Sequence, residues 1–133
     1  MPSIFTRIIN GEIPAYKIAE TEDYLAFLDI RPLMKGHTLV IPKREIDYFF
    51  DLPDELLAGM MVFAKQVAHA IKAAIPCKRV GVIVVGDEVP HAHVHLIPFN
   101  HVSDMMFTKP TRPEFNAEQM EEIAASIRAH FKG

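Results

Sequence analysis

The sequence predicts an α+β fold in which helices pack on an antiparallel sheet of about five strands. In chain order its apolar patterns indicate a helix, three strands, a long helix, two strands and a last helix, and this order is typical of such a fold. Of the 133 residues, 50% are hydrophobic, so one domain can bury a core without disulfides or a structural metal.

The first third of the chain predicts a short helix and three strands. Ser3 can cap the helix and Gly11 is placed to end it, since the apolar residues between them have helical spacing. The strand candidates are residues 15–19, 24–28 and 37–41. A polar turn joins the first two into a hairpin, a loop follows at residues 29–36, and Pro42 stops the third strand.

The longest helix is predicted in the middle of the chain. Asp51 is its expected N-cap, Pro53 lies in its first turn, and Pro76 closes it. The remaining strand candidates are residues 79–85 and 91–98. An irregular arm follows at residues 100–115, and Asn116 then caps a last helix.

The charge balance argues against binding to nucleic acids or membranes. The chain has 17 acidic and 14 basic side chains, for a net charge of −3, and no run of like charges. No apolar stretch approaches the roughly 20 residues that a spanning helix needs, and residues 1–10 do not resemble a signal peptide. Cys77 is the only cysteine, which fits a reducing compartment. We therefore expect a soluble protein of the cytoplasm.

Three histidines, His91, His93 and His95, alternate with apolar residues in one predicted strand. Period-two alternation places their imidazoles on the same face of that strand. Neighbours on one face have Cα atoms about 6.6 Å apart, so the rings can converge on one tetrahedral anion such as phosphate. Because the reference pKa of imidazole is about 6.5, we expect neutral and cationic rings together near neutral pH, which gives a nucleophilic nitrogen and a charged donor.

Two other interpretations of the histidine row stay open at this point. Histidines at alternate positions can ligate zinc, although no cysteine or carboxylate stands at ligand spacing beside them. The row can also be three satisfied surface histidines, although apolar residues or threonine are more usual on such a strand. We expect no chemical role for the other histidines outside this region, His69, His101 and His130.

The segment His91–Ile97 resembles the motif of the histidine triad (HIT) superfamily, in which three histidines alternate with apolar residues. The resemblance is greatest to the Hint (histidine triad nucleotide-binding) branch and extends along the chain in the family's order. The other matching segments are residues 3–9, 12–14, 27–32 and 36–42. The resemblance implies a single HIT domain over residues 1–133, with a core at 3–98 and a C-terminal arm and helix at 99–133, and a homodimer.

For function, the resemblance implies an enzyme that hydrolyses or transfers nucleotides at the α-phosphate, such as a nucleoside 5'-phosphoramidase. His93 would be the nucleophile and would form a covalent nucleotidyl-histidine intermediate. His95 would donate to a phosphate oxygen, and His37 would join the same cluster. His91 would lie beside the nucleophile and orient its ring through a backbone carbonyl. The resemblance implies neither a metal nor a cofactor.

The resemblance also implies a nucleotide pocket. Asp29 matches the residue whose carboxylate accepts hydrogen bonds from the ribose hydroxyls, and an apolar pocket encloses the base with modest selectivity. The pocket residues are Ile4, Phe5, Ile8, Phe27 and Ile30. We expect a purine nucleotide, such as adenosine monophosphate or one of its conjugates, as the ligand.

The chain departs from the family pattern immediately before the triad. We place Glu88 and Val89 at the nucleotide, but Asp87 and Glu88 occupy positions where many relatives carry an amide and a hydroxyl. Two acids there would repel a phosphate unless they point away, are protonated or select a cationic leaving group such as a lysine-like amine. A nucleotide-binding protein with little turnover is therefore the alternative, and a zinc-dependent hydrolase is the third hypothesis.

Overall fold

The computed structural model describes residues 2–133, so Met1, the first residue of the predicted domain, lies outside the described residues. The α-helices are α1 (Ile4–Ile9), α2 (Asp54–Ala74) and α3 (Ala117–His130). The strands are β1 (Lys17–Glu20), β2 (Tyr24–Leu28), β3 (Thr38–Pro42), β4 (Arg79–Ile83) and β5 (Val94–Phe99). Short 3-10 turns lie at Phe49–Asp51 and Val102–Met105. Within the described part of the chain, no helix is both long and apolar enough to cross a membrane.

The five strands form one antiparallel sheet in the order β1-β2-β3-β5-β4. The predicted α+β class is therefore confirmed. In this order β5 is paired on both sides, and His95 lies opposite Leu39 of β3 and Ile83 of β4. The triad segment thus leads into an interior strand, whose register both neighbours fix.

The sheet separates two clusters of buried apolar side chains. Along β5, Val94 and Leu96 belong to a large cluster built with α2 and α3. Side chains alternate along a strand, so His95 faces the opposite side of the sheet. A smaller cluster on that side contains Phe5 and Ile8 of α1, together with residues of β2 and β3. The imidazole of His95 therefore shares a face of the sheet with α1, away from the long helix.

Helix α1 begins where the sequence predicts. Ser3 is its N-cap, and the Ser3 Oγ accepts a hydrogen bond from Thr6 N–H at 3.0 Å. Beyond its end, Gly11 has a φ of +78°, a left-handed conformation that favours glycine and ends the helix. The last helix also begins as predicted, with Asn116 as its N-cap.

The strand that carries the triad is shorter at its start than predicted. It begins at Val94 rather than at His91, because Ala92 N–H donates to the carbonyl of Ile46 and not to a neighbouring strand. Of the three triad histidines, His95 alone lies inside a strand. The other two occupy the segment that leads into it.

Other predicted boundaries are displaced by a few residues. The long helix has Pro53 as its N-cap rather than Asp51, which belongs to the 3-10 turn before it. Strand β1 begins only at Lys17, β3 includes Pro42, and β4 already ends at Ile83. These ends depend on the hydrogen-bond partners that neighbouring segments offer, and the sequence of one strand does not contain that information.

The C-terminal region packs against the rest of the molecule at two places. Helix α3 contributes Met120 and Ile127, among others, to the large cluster. The arm before it, here residues 100–116, crosses the loop between β2 and β3. Lys109 Nζ donates to the carbonyl of Leu33 in that loop at 2.8 Å. The C-terminal region therefore covers both the main core and the loop that follows β2.

Candidate active site

Four histidines lie together on the α1 face of the sheet. His91 and His37 are buried, with exposed fractions of 0% and 1%, and His93 and His95 expose only 6% and 7% of their surface. The ring centroids of His93 and His95 are 5.0 Å apart, and those of His37 and His95 are 5.2 Å apart. The structure thus brings together the four histidines that the sequence singles out.

Both ring nitrogens of His91 are bonded within the protein. The Nε2 atom lies 2.8 Å from the carbonyl oxygen of Pro42, which can only accept, so this nitrogen carries the proton. The Nδ1 atom accepts from the hydroxyl of Ser3 at 2.8 Å. Burial lowers the pKa of His91, which favours this neutral form. The ring is therefore fixed in one tautomer and has no free nitrogen to offer a substrate.

The backbone of His91 orients the ring of His93. His93 Nδ1 lies 2.7 Å from the carbonyl oxygen of His91, so Nδ1 carries the proton and Nε2 carries the lone pair. His93 Nε2 bonds to no described residue and keeps contact with solvent. The ring of Phe5 packs edge-on against that of His93, with centroids 5.1 Å apart. A lone pair held in this way can act as a nucleophile.

A second chain of hydrogen bonds ends at His95. Leu33 N–H donates to His37 Nδ1 at 3.0 Å, which leaves the proton of His37 on Nε2. His37 Nε2–H donates to His95 Nδ1 at 2.9 Å, which leaves the proton of His95 on Nε2. His95 Nε2–H has no acceptor among residues 2–133. It is therefore a free donor on the ring next to that of His93.

The protonation of the cluster differs from the expectation drawn from the sequence. Burial lowers the pKa of His37 to about 4 and that of His95 to about 3, and it lowers the pKa of His91 as well. These three rings are therefore neutral near pH 7 in the free protein. The expected cationic donor is wrong for them, because a reference pKa takes no account of burial inside a tight cluster.

Asp29 lies at the edge of the histidine cluster, in the loop after β2. Its Oδ2 is 3.6 Å from His37 Nε2, and its Oδ1 accepts from Arg31 N–H at 2.9 Å. The side chain of Asp29 is 20% exposed, so the carboxylate can still reach a ligand. This position suits the predicted ribose contact, in which a carboxylate accepts from hydroxyl groups.

The five predicted pocket residues divide into two groups. Phe5, Ile8 and Phe27 are buried in the smaller cluster, where the rings of Phe5 and Phe27 lie 5.5 Å apart. Ile4 and Ile30 are instead 48% and 75% exposed. The exposed side chains of Ile4 and Ile30 are available to an apolar ligand, whereas the three buried residues form the apolar layer on which the histidines pack.

The two acids before the triad are both exposed. Glu88 Oε2 lies 3.3 Å from a guanidinium nitrogen of Arg31. Asp87 precedes Glu88 in a bend of the chain, and Val89, which follows Glu88, packs against the smaller cluster. Glu88 thus joins the segment before the triad to the loop that carries Asp29, and its carboxylate is paired with a cation.

Three possible metal-ligand atoms, from Asp29, His37 and His95, lie within 4.8 Å of one another. A zinc ion at this place would need the lone pair of His37 Nε2. Leu33 N–H already occupies the Nδ1 lone pair of that ring, so the proton is held on Nε2 and the neutral ring has no second lone pair to give. The donor set is therefore poorly suited to zinc, although its geometry is compact.

Some residues that shape the cluster are not among the predicted site residues. Glu45 Oε1 accepts from Ser3 N–H and from the hydroxyl of Thr6, each at 2.6 Å. The ring of Phe107, in the arm, lies edge-on to His95 with centroids 5.0 Å apart. In the sequence Ser3 carries a signal as a helix cap and Phe107 as an apolar residue in an irregular segment. Neither signal indicates a contact with a histidine.

The chain resembles proteins of known sequence over most of its length. The family model described as the HIT domain matches residues 10–102. Over 131 residues the chain is 43% identical to the adenosine 5'-monophosphoramidase of Saccharomyces cerevisiae, covering 98% of this chain and 83% of the yeast protein.

Two solved structures resemble this one over nearly the whole chain. A HIT-like protein from Bartonella henselae has a TM-score of 0.83 and 32% sequence identity, covering 97% of this chain and 96% of that one. A hypothetical histidine triad nucleotide-binding protein from Sulfolobus tokodaii has a TM-score of 0.81 and 31% identity, covering 96% of this chain and 90% of that one. Since the family model, the yeast relative and the shared fold all agree, this chain belongs to the HIT family.

Proposed function

We propose that this protein hydrolyses nucleoside 5'-phosphoramidates, or related nucleotidyl conjugates, through a covalent nucleotidyl-histidine intermediate on His93. The observation that carries the proposal is a free lone pair on His93 Nε2 next to a free proton on His95 Nε2. Displacement at phosphorus needs such a nucleophile, and it needs a donor for the charge on the phosphate oxygens.

The name of the yeast relative supports a hydrolase that acts on an adenosine nucleotide. We therefore place adenosine monophosphate, or a conjugate of it, in the site, with its ribose hydroxyls on the carboxylate of Asp29. The base would lie on the exposed surfaces of Ile4 and Ile30. Apolar contacts of this kind do not distinguish strongly between bases, so we expect weak base selectivity.

The proposed reaction has two displacements. In the first, His93 Nε2 attacks the α-phosphorus, and the bond from phosphorus to the amine nitrogen breaks. The amine leaves with the electron pair of that bond and takes a proton from solvent. In the second, water attacks the phosphorus, the bond to His93 breaks, and the nucleoside monophosphate is released with a proton lost to solvent. Neither step calls for a metal or a cofactor.

The hydrogen bonds behind the two reacting rings suit these steps. His93 gains positive charge when it is phosphorylated, and its Nδ1–H then donates to the carbonyl of His91, which is 2.7 Å away. His95 Nε2–H would donate to a non-bridging phosphate oxygen. His37 Nε2–H, at 2.9 Å from His95 Nδ1, keeps the proton of His95 on the side of the substrate. A bound phosphate would raise the pKa of His95, because a nearby anion favours imidazolium.

We also propose that residues 1–133 form one HIT domain, and that two copies associate as a homodimer in the cytoplasm. Strand β4 is at the edge of the sheet, and the nearby Val82 and Val85 are 52% and 56% exposed. An edge strand with unpaired backbone groups and apolar side chains can pair with a second copy. The free cysteine, Cys77, supports a reducing compartment.

Hydrolysis of adenosine 5'-phosphoramidate by the wild type and two variants tests the proposed reaction. We expect His93→Ala to lower turnover by a factor on the order of a thousand or more, because the nucleophile is lost. The matched variant His101→Ala removes an exposed histidine and is expected to retain full activity.

Two results would contradict the proposal. Tight binding of adenosine monophosphate by a wild type that shows no turnover would favour a nucleotide-binding protein. Turnover that a chelator abolishes and zinc restores would favour a zinc-dependent hydrolase.

A further inference from the structure

Two cationic side chains fasten the arm to the loop between β2 and β3. One guanidinium nitrogen of Arg112 donates to the carbonyl of Arg31 at 3.0 Å, and the other donates to the carbonyl of Phe107 at 2.9 Å. Lys109 Nζ donates to the carbonyl of Leu33 at 2.8 Å. One side chain thus bridges the arm and the start of the loop, and a second holds the loop near its middle.

The loop fastened in this way fixes the tautomers of His37 and His95. It contains Asp29, whose carboxylate lies 3.6 Å from His37 Nε2. It also contains Leu33, whose N–H fixes the tautomer of His37 and, through it, the nitrogen on which His95 carries its proton. A displacement of the loop would therefore change the donor that faces the substrate.

The ring of Phe107 lies against both members of the His37–His95 pair. Its centroid is 5.0 Å from that of His95 and 6.4 Å from that of His37, edge-on in both contacts. Phe107 is itself 37% exposed, so it stands between the pair and the solvent. An apolar ring in this position keeps water from the hydrogen bond that joins the two imidazoles, and a dry environment strengthens that bond.

The arm also brings positive charge to the pair. Lys109 and Arg112 both donate to backbone carbonyls. Among the described residues, neither of them forms an ion pair with a carboxylate. The charge of Arg112 lowers the pKa of His37, in addition to the larger effect of burial. The other charged or titratable groups that face the pair are Asp29 and His93.

We propose that Phe107 and Arg112 form a clasp that keeps the His37–His95 pair dry and in the tautomer that presents His95 Nε2–H to the substrate. Both are positioning residues, because they act through the loop and the pair and do not themselves meet the reacting atoms. The catalytic part of this inference rests on the proposed function, but the state of the pair can be measured without any substrate.

Nitrogen-15 NMR titration of the histidines in the full chain, without ligand, tests the clasp directly. In the wild type we expect His37 and His95 to remain neutral down to about pH 5. Phe107→Ala admits water to the pair, and Arg112→Met removes the bond to the loop, the bond within the arm and a nearby cation. In each variant we expect the titration midpoint of the pair to rise by about half a unit or more.

Two further variants separate the clasp from general effects. Arg44→Met removes an exposed arginine whose side chain forms no ion pair with a described residue, and it is expected to leave the midpoints unchanged. Phe107→Leu keeps an apolar cover and is expected to restore most of the wild-type titration. If Phe107→Ala and Arg112→Met unfold at a lower temperature but their histidines titrate as in the wild type, the arm only stabilises the fold and the proposal is overturned.

Kinetics then show whether the clasp matters for turnover. With adenosine 5'-phosphoramidate, we expect Arg112→Met and Phe107→Ala to lower kcat roughly tenfold with little change in KM, because a misplaced donor costs the chemical step more than binding. Unchanged kcat in both variants would overturn the catalytic part of the proposal. If the wild type itself shows no turnover, the proposed function fails while the NMR result on the clasp stands.

Discussion

The hydroxyl oxygen of Ser3 lies 2.8 Å from Nδ1 of His91, a residue 88 positions further along the chain. The same oxygen caps α1 by accepting from Thr6 N–H. One hydroxyl therefore starts the first helix and also selects the tautomer of the first triad histidine. The exposed side chain of Glu45 stabilises the start of α1, since its carboxylate accepts from both Ser3 N–H and the hydroxyl of Thr6.

Replacing Ser3 by alanine removes the donor to His91 Nδ1 and the cap of α1. Because the imidazole is buried, we expect a loss of about 1–3 kcal/mol in the free energy of unfolding, measured by urea titration. We also expect a lower kcat, since the carbonyl of His91 holds the ring of His93. Ser126→Ala, at an exposed serine of α3, is the matched control. Equal stability of the two variants would show that the hydroxyl contributes nothing at His91.

Replacing His37 by leucine removes the donor that fixes His95. His95 is then free to carry its proton on either nitrogen, so we expect kcat to fall by roughly 10- to 100-fold while the affinity for adenosine monophosphate changes less. Glutamine can place an N–H where Nε2 stood, and His37→Gln is expected to recover part of the activity. If the leucine and glutamine variants have the same kcat, the hydrogen bond from residue 37 does not control the donor on His95.

The free energy of unfolding is expected to decrease in mild acid. His37 and His95 have pKa values of about 4 and about 3 in the folded protein, against about 6.5 in an unfolded chain. Between these values the unfolded state binds more protons, so the stabilisation is fully present above about pH 6.5 and is lost as the pH falls through the folded values.

Urea titrations at pH 7 and pH 4.5 measure this dependence. His95→Gln is expected to flatten it, whereas His130→Ala, at an exposed histidine of α3, is expected to leave it as in the wild type. Equal stability of the wild type at the two pH values would mean that the pair is already protonated when folded or is not buried.

Replacing Glu88 by serine tests whether this acid meets the leaving group. Its carboxylate is paired with Arg31 and is 76% exposed, and exposed pairs contribute little. We therefore expect turnover of adenosine 5'-phosphoramidate to change by less than about threefold. Suppose instead that Glu88→Ser raises turnover of adenosine 5'-phosphoramidate tenfold or more and does not raise it when the leaving group is a lysine-like amine. That result would place the carboxylate of Glu88 at the substrate.

Patterns within single segments predict the fold and the location of the site. The capping of α1 by Ser3, the strand at residues 24–28 and the grouping of the three triad histidines follow from local spacing, and the structure contains each of them. The place of His37 in the same cluster is implied by the family resemblance and not by spacing. The start of β5 does not follow from such spacing, because it depends on the bond between Ala92 and Ile46, which are far apart in sequence.

The chemistry of the site is harder to predict than its location. Which nitrogen of His37 carries the proton depends on Leu33 N–H, and which nitrogen of His91 does so depends on Pro42 and Ser3. The charge state depends on burial, which follows only from how the whole chain packs. A sequence pattern identifies which histidines form the site, whereas tertiary contacts determine their hydrogen-bond partners.

The bonds made by Lys109 and Arg112 also set an order in time. The loop that they fasten leaves the ribosome early, and the residues that fasten it are made about 80 residues later in a chain of 133. These contacts can therefore form only after the arm has been made, and until then the arm does not restrain the loop that carries Asp29 and Leu33.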